Sequence, residues 1–342
     1  MRNYKYILSI ETSCDDTAVA VLKDKSILSN VIYSQSAHKL YQGVVPELAA
    51  RDHQKKILPT INHALELAKI KINQVHAIAY TVGPGLIGSL LVGSSVAKSL
   101  ALSLKIPLIE VHHMQAHLLV HFIKGVHQKE PTFPFLGITL SGGHTQIAII
   151  KDVFTFQEIG TTLDDAIGEC FDKCGTLMGL DYPSGHLIDQ LSQNGNADRF
   201  QFPIPFTPEF NLSYSGLKTA FKNFVLQRVS EDKNFIENNK ADLCASIQRV
   251  IIEHLIQKIK RAVDKTGLRQ MVFGGGVSCN RFLYEQCKNL SELGEYTLYF
   301  PPKQFTTDNA AMIGIAGYFK LQNGQIGNLN TTPKPKLELA HS

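Results

Sequence analysis

The sequence of 342 residues contains cysteines but lacks the spacings that would give them a shared role. Its six cysteines stand at positions 14, 170, 174, 244, 279 and 287, and none forms a Cys-x-x-Cys pair. Disulfide frameworks and cysteine-ligated zinc knuckles both depend on regular, paired spacing. We therefore expect reduced thiols and no cysteine-bound metal.

The sequence also lacks long uninterrupted runs of apolar residues. Residues 1–5, Met-Arg-Asn-Tyr-Lys, lead into a strand-like segment without the apolar core of a signal peptide, and no later run is expected to span a membrane. With 44% hydrophobic and 19% charged residues, the composition is that of a soluble globular protein. We expect a cytoplasmic protein with no membrane partner.

The chain has no strong excess of either charge. Its net charge of +4 permits a nucleic-acid partner but does not require one. At about 150 residues per domain, the length of 342 residues predicts two domains.

Three histidines lie within the segment Val111–His117. If this segment is helical, His113 and His117 are one turn apart on one face, which is a metal-ligand spacing. Zinc peptidases with this spacing carry a glutamate directly after the first histidine, where this chain has Met114. Two imidazoles leave a divalent ion short of ligands, so an oxygen must come from elsewhere. The structural alternative is a histidine-rich helix with satisfied, partly exposed rings.

Asp308 is a candidate for that oxygen. It precedes an apolar helical segment, Ala310 to Phe319, so it is equally suited to cap that helix. The tail that follows, from Leu321, is rich in glycine, asparagine and lysine and is expected to be frayed.

One segment of the sequence is repeated. Residues 17–24, TAVAVLKD, align with residues 145–152, TQIAIIKD, at an offset of 128 that also places Ile10 on Ile138 and Ser13 on Ser141. Two copies of a strand, polar turn and strand predict a duplicated α/β fold. We expect two similar lobes that bind a nucleotide in the cleft between them.

The polar turns of the two copies differ in chemistry. The first contains Asp15 and Asp16, whose carboxylates can orient a metal-bound water or a hydroxyl. The second, Ser141-Gly142-Gly143-His144-Thr145, lets the backbone approach an anion closely and predicts a phosphate cradle. An ordinary Gly-Gly hairpin is the alternative.

Other segments predict elements around these turns. We expect a helix from residue 43 to 68 with Pro46 in its first turn and a kink or break at Pro59. A second helix should begin at Leu163-Asp164-Asp165. The segment at about 195–220 is rich in phenylalanine and proline, which predicts an inserted, mobile loop over a site. Arg51, Asp52 and His53 are expected on a solvated face.

Nine motifs in this order closely resemble the bacterial TsaD family, formerly described as glycoproteases, over nearly the whole chain to about residue 320. They are Ile10–Asp15, Gly43–Ala49, Val82–Ser89, His113-x-x-x-His117, Ser141–Thr145, Phe171–Lys173, Ser215–Lys218, Gly274–Gly276 with Asn280, and Thr307–Asn309.

The resemblance implies the duplicated actin/hexokinase-like fold (ASKHA), with one lobe from residues 1–125 plus 307–342 and the other from 126–306. It also implies transfer of threonylcarbamoyl from threonylcarbamoyl-AMP to the N6 amine of adenosine 37 in tRNAs that read ANN codons, with release of AMP. No covalent catalytic residue is expected.

The resemblance further implies that His113, His117 and Asp308 bind one divalent metal, Fe2+ by preference, with Zn2+ or Mg2+ as alternatives. The implied partners are tRNA, threonylcarbamoyl-AMP, a TsaB-like paralogue and a TsaE-like ATPase. Asp16, Ser184 and Cys279 depart from the commonest family residues. The implied substrate-binding residues are Thr139, Leu140, Ser141, Gly142, Gly143, Asp172, Gly185, Asp189 and Asn280.

Three other functions remain alternatives at this stage. An ATP-dependent small-molecule kinase would share the fold, and a metalloprotease would share the histidine pair. A non-enzymatic scaffold would retain binding to partners without needing His113.

Overall fold

The computed structural model describes residues 6–294 and 296–339. Residues 1–5, on which the expectation about a signal peptide depends, lie outside this part. The chain forms two compact units. Unit 1 comprises Met1–Pro131, Lys151–Phe156 and Pro301–Ser342, and unit 2 comprises Thr132–Ile150 and Gln157–Phe300. The lobe boundaries expected from the sequence stay a prediction.

The strands in chain order are β1 Tyr6–Glu11, β2 Asp16–Lys23, β3 Ser26–Ser34, β4 Ala77–Gly83, β5 Leu108–His112, β6 Phe135–Leu140, β7 Thr145–Ile150, β8 Phe156–Thr161, β9 Gln270–Gly274 and β10 Thr297–Tyr299. The helices are α1 Pro46–Ala68, α2 Ile87–Leu104, α3 His113–Leu119, α4 Ile167–Leu177, α5 Gly185–Ser192, α6 Ser215–Glu231, α7 Phe235–Thr266, α8 Arg281–Gly294 and α9 Ala310–Gln322.

The two five-stranded sheets have the same strand order, which confirms the predicted duplication. The first runs β3-β2-β1-β4-β5 and the second β8-β7-β6-β9-β10. In both, the first two strands of the copy pair antiparallel and the fourth joins in parallel. The sequence offset of 128 also preserves the register, because Ile10 pairs with Val19 and Ile138 pairs with Ile147.

The first sheet is covered on both faces. Helices α1 and α2 contact β2 and β4, and α9 contacts β1, β2, β4 and β5. Alternation along β1 directs Leu8 and Ile10 into the apolar cluster with α1, whereas Ser9 donates from Oγ to the Ala310 carbonyl of α9. Gly314 of α9 allows this approach, since a Cβ there would lie 2.3 Å from Leu22.

Unit 2 contains a core cluster around the second sheet. Helix α7 contributes a long apolar stripe, including Leu243, Ile247 and Ile251, that packs with Ile138 of β6 and Phe273 of β9. Gly267 ends α7 in the left-handed conformation that glycine favours, with a φ of 69°.

Two local predictions are wrong. Pro59 lies inside an uninterrupted α1, so the predicted break is wrong, whereas the kink stays a prediction. The helix expected at Leu163 begins instead at Ile167. Asp164 lies outside this helix and bonds to the start of α6 instead. Its Oδ1 accepts from the Tyr214 amide at 2.8 Å, and its Oδ2 accepts from the Ser215 hydroxyl at 2.6 Å.

The tail is not frayed where the structure describes it. After α9 it continues along unit 1 to Leu339, which is buried. The Gly327 amide donates to the Leu108 carbonyl at 2.7 Å, and the Lys334 amide donates to the Val82 carbonyl at 2.8 Å. Composition predicted fraying because it does not reveal backbone hydrogen bonds to a sheet edge.

One helix differs from the expectation that no segment is long and apolar enough to span a membrane. By length and composition, α2 is long and apolar enough to cross a membrane. A core helix passes the same test, and α2 packs against β4 and α1, with Val92, Ala97 and Ala101 in the apolar cluster of unit 1. The feature is weak as a sign of a membrane span.

Between α5 and α6 the chain has little regular structure, and α6 already begins at Ser215. Phe202 in this segment is buried, and its ring packs edge-on against Phe221 at a centroid distance of 5.3 Å. Phe206, in contrast, is 97% exposed. Part of the expected loop is therefore anchored in the core of unit 2.

Candidate functional site

Helix α3 positions the two histidines of the predicted metal pair. It begins directly after β5, and the imidazole Nδ1 of His112 caps it by accepting from the Met114 amide at 3.1 Å. His113 and His117 lie on one face, with ring centroids 4.8 Å apart. Both residues are buried, at 6% and 1% exposure, so the alternative of partly exposed rings is wrong.

Asp308 meets this pair from the far end of the sequence. Its Oδ1 lies 3.3 Å from His113 Nε2 and 3.2 Å from His117 Nε2. The two Nε2 atoms are themselves 3.2 Å apart. The three ligand atoms form a nearly equilateral triangle, and all three residues belong to unit 1.

The triangle has the size that a divalent transition metal needs. With bonds of about 2.1 Å, cis ligands are about 3.0 Å apart in octahedral and about 3.4 Å apart in tetrahedral geometry. The observed sides of 3.2–3.3 Å lie between these values. The buried Nδ1 of His117 has no hydrogen-bond partner among the described residues. The donor set of two imidazoles and one carboxylate is the facial triad that leaves open positions.

The alternative in which Asp308 caps α9 is wrong. The cap is Asn309, whose Oδ1 accepts from the Met312 amide at 3.1 Å. Because Asn309 satisfies the start of the helix, the Asp308 carboxylate is free to face the histidines.

Glu11 supports the pair from behind, and sequence reasoning missed this role. Its Oε2 lies 3.0 Å from His113 Nδ1, and the Ser13 hydroxyl lies 3.2 Å from the same nitrogen. Glu11 also accepts from the Ser13 amide and the Thr81 hydroxyl. With Nδ1 held as a donor to this carboxylate, His113 presents Nε2 as the ligand atom.

The charges of the cluster favour a cation within it. Burial opposes a charge on His113, but the Glu11 and Asp308 carboxylates outweigh burial and hold the pKa of His113 well above its usual value. The same histidine lowers the pKa of both carboxyls, against the effect of burial. Burial lowers the pKa of His117, so this ring stays neutral and able to bind a metal.

The acidic turn after β1 is packed against α1. His53 is fully buried, contrary to the expectation of a solvated face, with Nδ1 2.7 Å from the Thr17 hydroxyl and Nε2 2.9 Å from the Cys14 carbonyl. Burial raises the pKa of Asp16 to about 7, so its carboxyl titrates near neutral pH. The signal that could have revealed this burial is the pair of apolar residues one helical turn to either side, Ala49 and Ile57, which are buried on the same face.

The second polar turn lies at the end of β6 in unit 2. The Ser141 amide donates to the His144 carbonyl at 2.8 Å, and the His144 amide donates to Ser141 Oγ at 3.0 Å. Gly142 and Gly143 are exposed, and a Cβ at either position would meet nothing within 4 Å. The space on the Cβ side of both glycines is therefore free of protein atoms, whereas the Gly142 backbone lies close to Gly168 of α4.

The glycine segment after β9 lies beside this turn. Strands β6 and β9 pair in parallel up to Thr139 and Gly274, so both chains leave the sheet at the same edge. A Cβ at Gly275 would lie 2.4 Å from the Leu140 carbonyl oxygen. Thr139 is buried, and its hydroxyl lacks a hydrogen-bond partner among the described residues.

The remaining predicted residues of unit 2 form two groups. Asp172 accepts from the Ser184 amide at 2.7 Å at the start of α5, next to Gly185. Asn280 caps α8 through the Leu283 amide at 2.8 Å and donates to Gln248, while Asp189 accepts from the Arg281 amide at 3.2 Å. Burial raises the pKa of both Asp172 and Asp189.

The repeated sheets and the histidine-aspartate cluster define a class: a duplicated α/β protein of the actin/hexokinase type with a candidate metal site. Solved structures agree on the fold. T. kodakarensis HypF matches 94% of this chain and 48% of its own, so this chain spans about half of HypF, with a TM-score of 0.59 and 12% identity. The activator of 2-hydroxyisocaproyl-CoA dehydratase from Clostridium difficile, solved with ADPNP, matches 94% of this chain and 97% of its own, with a TM-score of 0.53 and 12% identity.

Sequence comparison gives the family. The model of TsaD, tRNA N6-adenosine threonylcarbamoyltransferase, matches residues 26–315. A protein of that name from Christiangramia forsetii is 50% identical over 330 residues, covering 96% of this chain and 97% of the relative. Another from Riemerella anatipestifer is 46% identical over 333 residues, covering 97% and 98%. The chain belongs to the TsaD family of tRNA-modifying acyl transferases. These comparisons support neither the kinase nor the metalloprotease alternative.

Proposed function

We propose that the chain transfers threonylcarbamoyl from threonylcarbamoyl-AMP to the N6 amine of adenosine 37 in tRNAs reading ANN codons, and releases AMP. The observation that carries the mechanistic part is the triangle of His113, His117 and Asp308, with sides of 3.2–3.3 Å. The family carries the substrate part.

The proposed work of the protein is to hold an activated carbonyl near a weak nucleophile. An exocyclic aromatic amine reacts slowly, so orientation and stabilisation of the departing phosphate supply the rate. The backbone N–H groups of the exposed Gly142 and Gly143 are suited to donate hydrogen bonds to phosphate oxygens. Thr139, Leu140 and Ser141 would line the same anion site.

The other proposed substrate contacts come from carboxyl and amide groups. Asp172 beside Gly185, and Asp189 beside Asn280, present short acceptors suited to the hydroxyls of a ribose. Backbone amides, including that of Ser184 for Asp172 and that of Arg281 for Asp189, donate to these carboxylates and fix their orientation.

His113, His117 and Asp308 would hold one divalent ion. We propose Fe2+, because two imidazoles and one carboxylate on one face are typical of non-haem iron, with Zn2+ or Mg2+ as alternatives. When bound, the ion would supply a Lewis acid and a template for phosphate or carbamoyl oxygens. Glu11 keeps His113 in the tautomer that binds it.

The proposed partners are tRNA, a TsaB-like paralogue and a TsaE-like ATPase, and the proposed location is the cytoplasm. The modest net charge of +4 fits a tRNA that several proteins hold together.

Replacement of His113 or Asp308 by alanine should reduce transfer more than about 100-fold, because either change removes one of three ligands. The assay is threonylcarbamoyl transfer from synthetic threonylcarbamoyl-AMP to unmodified tRNA in the presence of the partner proteins. His63→Ala is the matched control, since His63 is an exposed residue of α1 in the same unit.

The control should retain wild-type turnover, and all variants should keep a cooperative unfolding transition. Full turnover by folded His113→Ala or Asp308→Ala protein would contradict the metal role.

A further inference from the structure

The described tail forms a strap along unit 1, residues 327–339, which we term the C-terminal strap. It begins at β5, where the Gly327 amide donates to Leu108, and it ends at α3, where Gln115 Nε2 donates to the Leu339 carbonyl at 3.3 Å. The strap therefore connects the strand that precedes the candidate metal ligands with the helix that carries them.

The middle of the strap crosses the turn after β4. The Gly85 amide donates to the Pro335 carbonyl at 3.1 Å. At Gly83 a Cβ would lie 2.0 Å from the Lys334 carbonyl oxygen, so the close approach requires glycine there. These contacts show that the strap packs closely against the turn at Gly83-Pro84-Gly85.

His112 links the strap to the start of α3. Its Nε2 lies 3.3 Å from the Leu337 carbonyl, to which it can only donate, and its Nδ1 accepts from the Met114 amide. One neutral ring thus makes both contacts, and the strap fixes which nitrogen carries the proton. If the ring turned, both the cap of α3 and the strap contact would be lost.

Helix α3 has only seven residues, so its orientation depends on how its ends are held. His112 holds the N-terminus beside His113, and Gln115 holds the middle, between His113 and His117. A shift of α3 would move both Nε2 atoms relative to Asp308, because Asp308 belongs to a different element. Replacement of groups that orient metal ligands typically weakens metal binding 10- to 100-fold.

We propose that the C-terminal strap is a positioning element for the metal site, and that it acts through His112 and Gln115. This inference rests on the proposed metal role of His113, His117 and Asp308. It adds that the last part of the chain, remote in sequence from the histidines, sets their affinity for the ion.

Binding of Co2+ to the purified full-length protein tests the proposal, with the Kd from calorimetry and the site geometry from the visible absorption of the ion. One variant ends after Lys336, which removes the Leu337 and Leu339 carbonyls that accept from His112 and Gln115. A second, His112→Asn, keeps an acceptor for the Met114 amide but is too short to reach Leu337. Both should raise the Kd about 10- to 100-fold and change the Co2+ spectrum.

The effects of the two changes on the Kd should be non-additive, because both changes interrupt the same connection. The double variant should therefore have about the same Kd for Co2+ as the single variant that binds Co2+ less tightly. The control is Ser29→Ala, which removes the buried hydrogen bond of 2.7 Å from Ser29 Oγ to the Ala64 carbonyl. Ser29 lies on β3, at the opposite edge of the sheet from β5. The control should lower the Tm without changing the Kd for Co2+.

Wild-type affinity in both the shortened chain and His112→Asn would overturn the proposal and leave the metal site itself standing. Weakening by Ser29→Ala to the same extent would also overturn it, since the effect would then be general destabilisation. If the wild-type protein bound no Co2+, the proposed metal site would fail and this inference with it.

Discussion

Single residues decide whether three distant side chains can share an ion. The spacing of His113 and His117 predicts a pair of ligands, and this pair is local on one helix turn. The partner could not be chosen from spacing alone, because Asp308 was equally suited to cap a helix. Asn309 resolves this choice in the structure, since it takes the cap through the Met312 amide.

Glu11 shows why part of the site was not predictable. Its contact with His113 spans 102 residues and depends on β1 and β5 ending at the same edge of the sheet, on either side of β4. Nothing in the local sequence distinguishes this carboxylate from any polar residue at the end of a strand. The buried carboxylate becomes informative only when the sheet order is known.

Glu11→Gln should weaken binding of a divalent ion about 10- to 100-fold, because a neutral amide no longer holds His113 Nδ1 as a donor to a charged acceptor. Calorimetric titration with Co2+ measures the change. Glu130→Gln is the control, since Glu130 pairs with Lys25 at 2.7 Å and is 42% exposed. Equal affinities for Glu11→Gln and wild-type protein would show that the contact is unimportant.

At the level of elements, the repeated strands could be predicted from the sequence, whereas a segment held by backbone hydrogen bonds could not. The strands of the two copies were predictable because their offset is constant and the register follows it. The tail was mispredicted because its glycine, asparagine and lysine residues are typical of loops, whereas its amides bond to Leu108 and Val82. The unbroken α1 shows that tertiary packing can retain a proline within a helix.

The glycine segment between β9 and α8 provides an element-scale prediction. Gly275 has φ 87° and ψ 163°, a conformation that is essentially restricted to glycine, and its Cβ position lies 2.4 Å from the Leu140 carbonyl. Gly275→Ala should lower the free energy of unfolding by at least about 1–3 kcal/mol. Urea denaturation followed by circular dichroism measures it.

The control for this change is Gly216→Ala in α6, where a Cβ meets nothing within 4 Å. It should be neutral or stabilise by up to about 1 kcal/mol, since alanine is the better helix former. Equal unfolding free energies for Gly275→Ala and wild-type protein would contradict the requirement for glycine beside Leu140.

At the scale of the molecule, buried neutral histidines should make stability depend on pH. His254 is fully buried, and burial together with Lys258 lowers its pKa to about 4. Between about pH 6.5 and pH 4 the unfolded chain binds the proton and the folded chain does not. The stability that this neutral ring contributes is therefore complete above about pH 6.5 and is lost as the pH falls towards 4.

His254→Gln keeps an acceptor for the Ser213 amide, which lies 3.3 Å from Nε2, but cannot titrate. The unfolding free energy should therefore depend less steeply on pH in the variant. The difference in slope should correspond to the uptake of at most about one proton on unfolding over this range. Urea denaturation at a series of pH values measures the difference. Parallel curves for both proteins would contradict a neutral buried His254.

The duplicated fold explains how one chain carries two kinds of chemistry. The opening strand of the first copy ends in Glu11, beside the histidine-aspartate cluster, and the equivalent strand of the second copy leads into the Gly142-Gly143 turn. The repeated sequence predicted the shared scaffold, and the divergence of the two turns indicated that their functions differ.

The most direct test of the account is transfer measured against metal content. Protein stripped by chelator should transfer no threonylcarbamoyl from synthetic threonylcarbamoyl-AMP to unmodified tRNA with its partner proteins present, and one equivalent of Fe2+ per chain should restore transfer in the wild type but not in Asp308→Ala. Undiminished transfer by verified metal-free protein would contradict it.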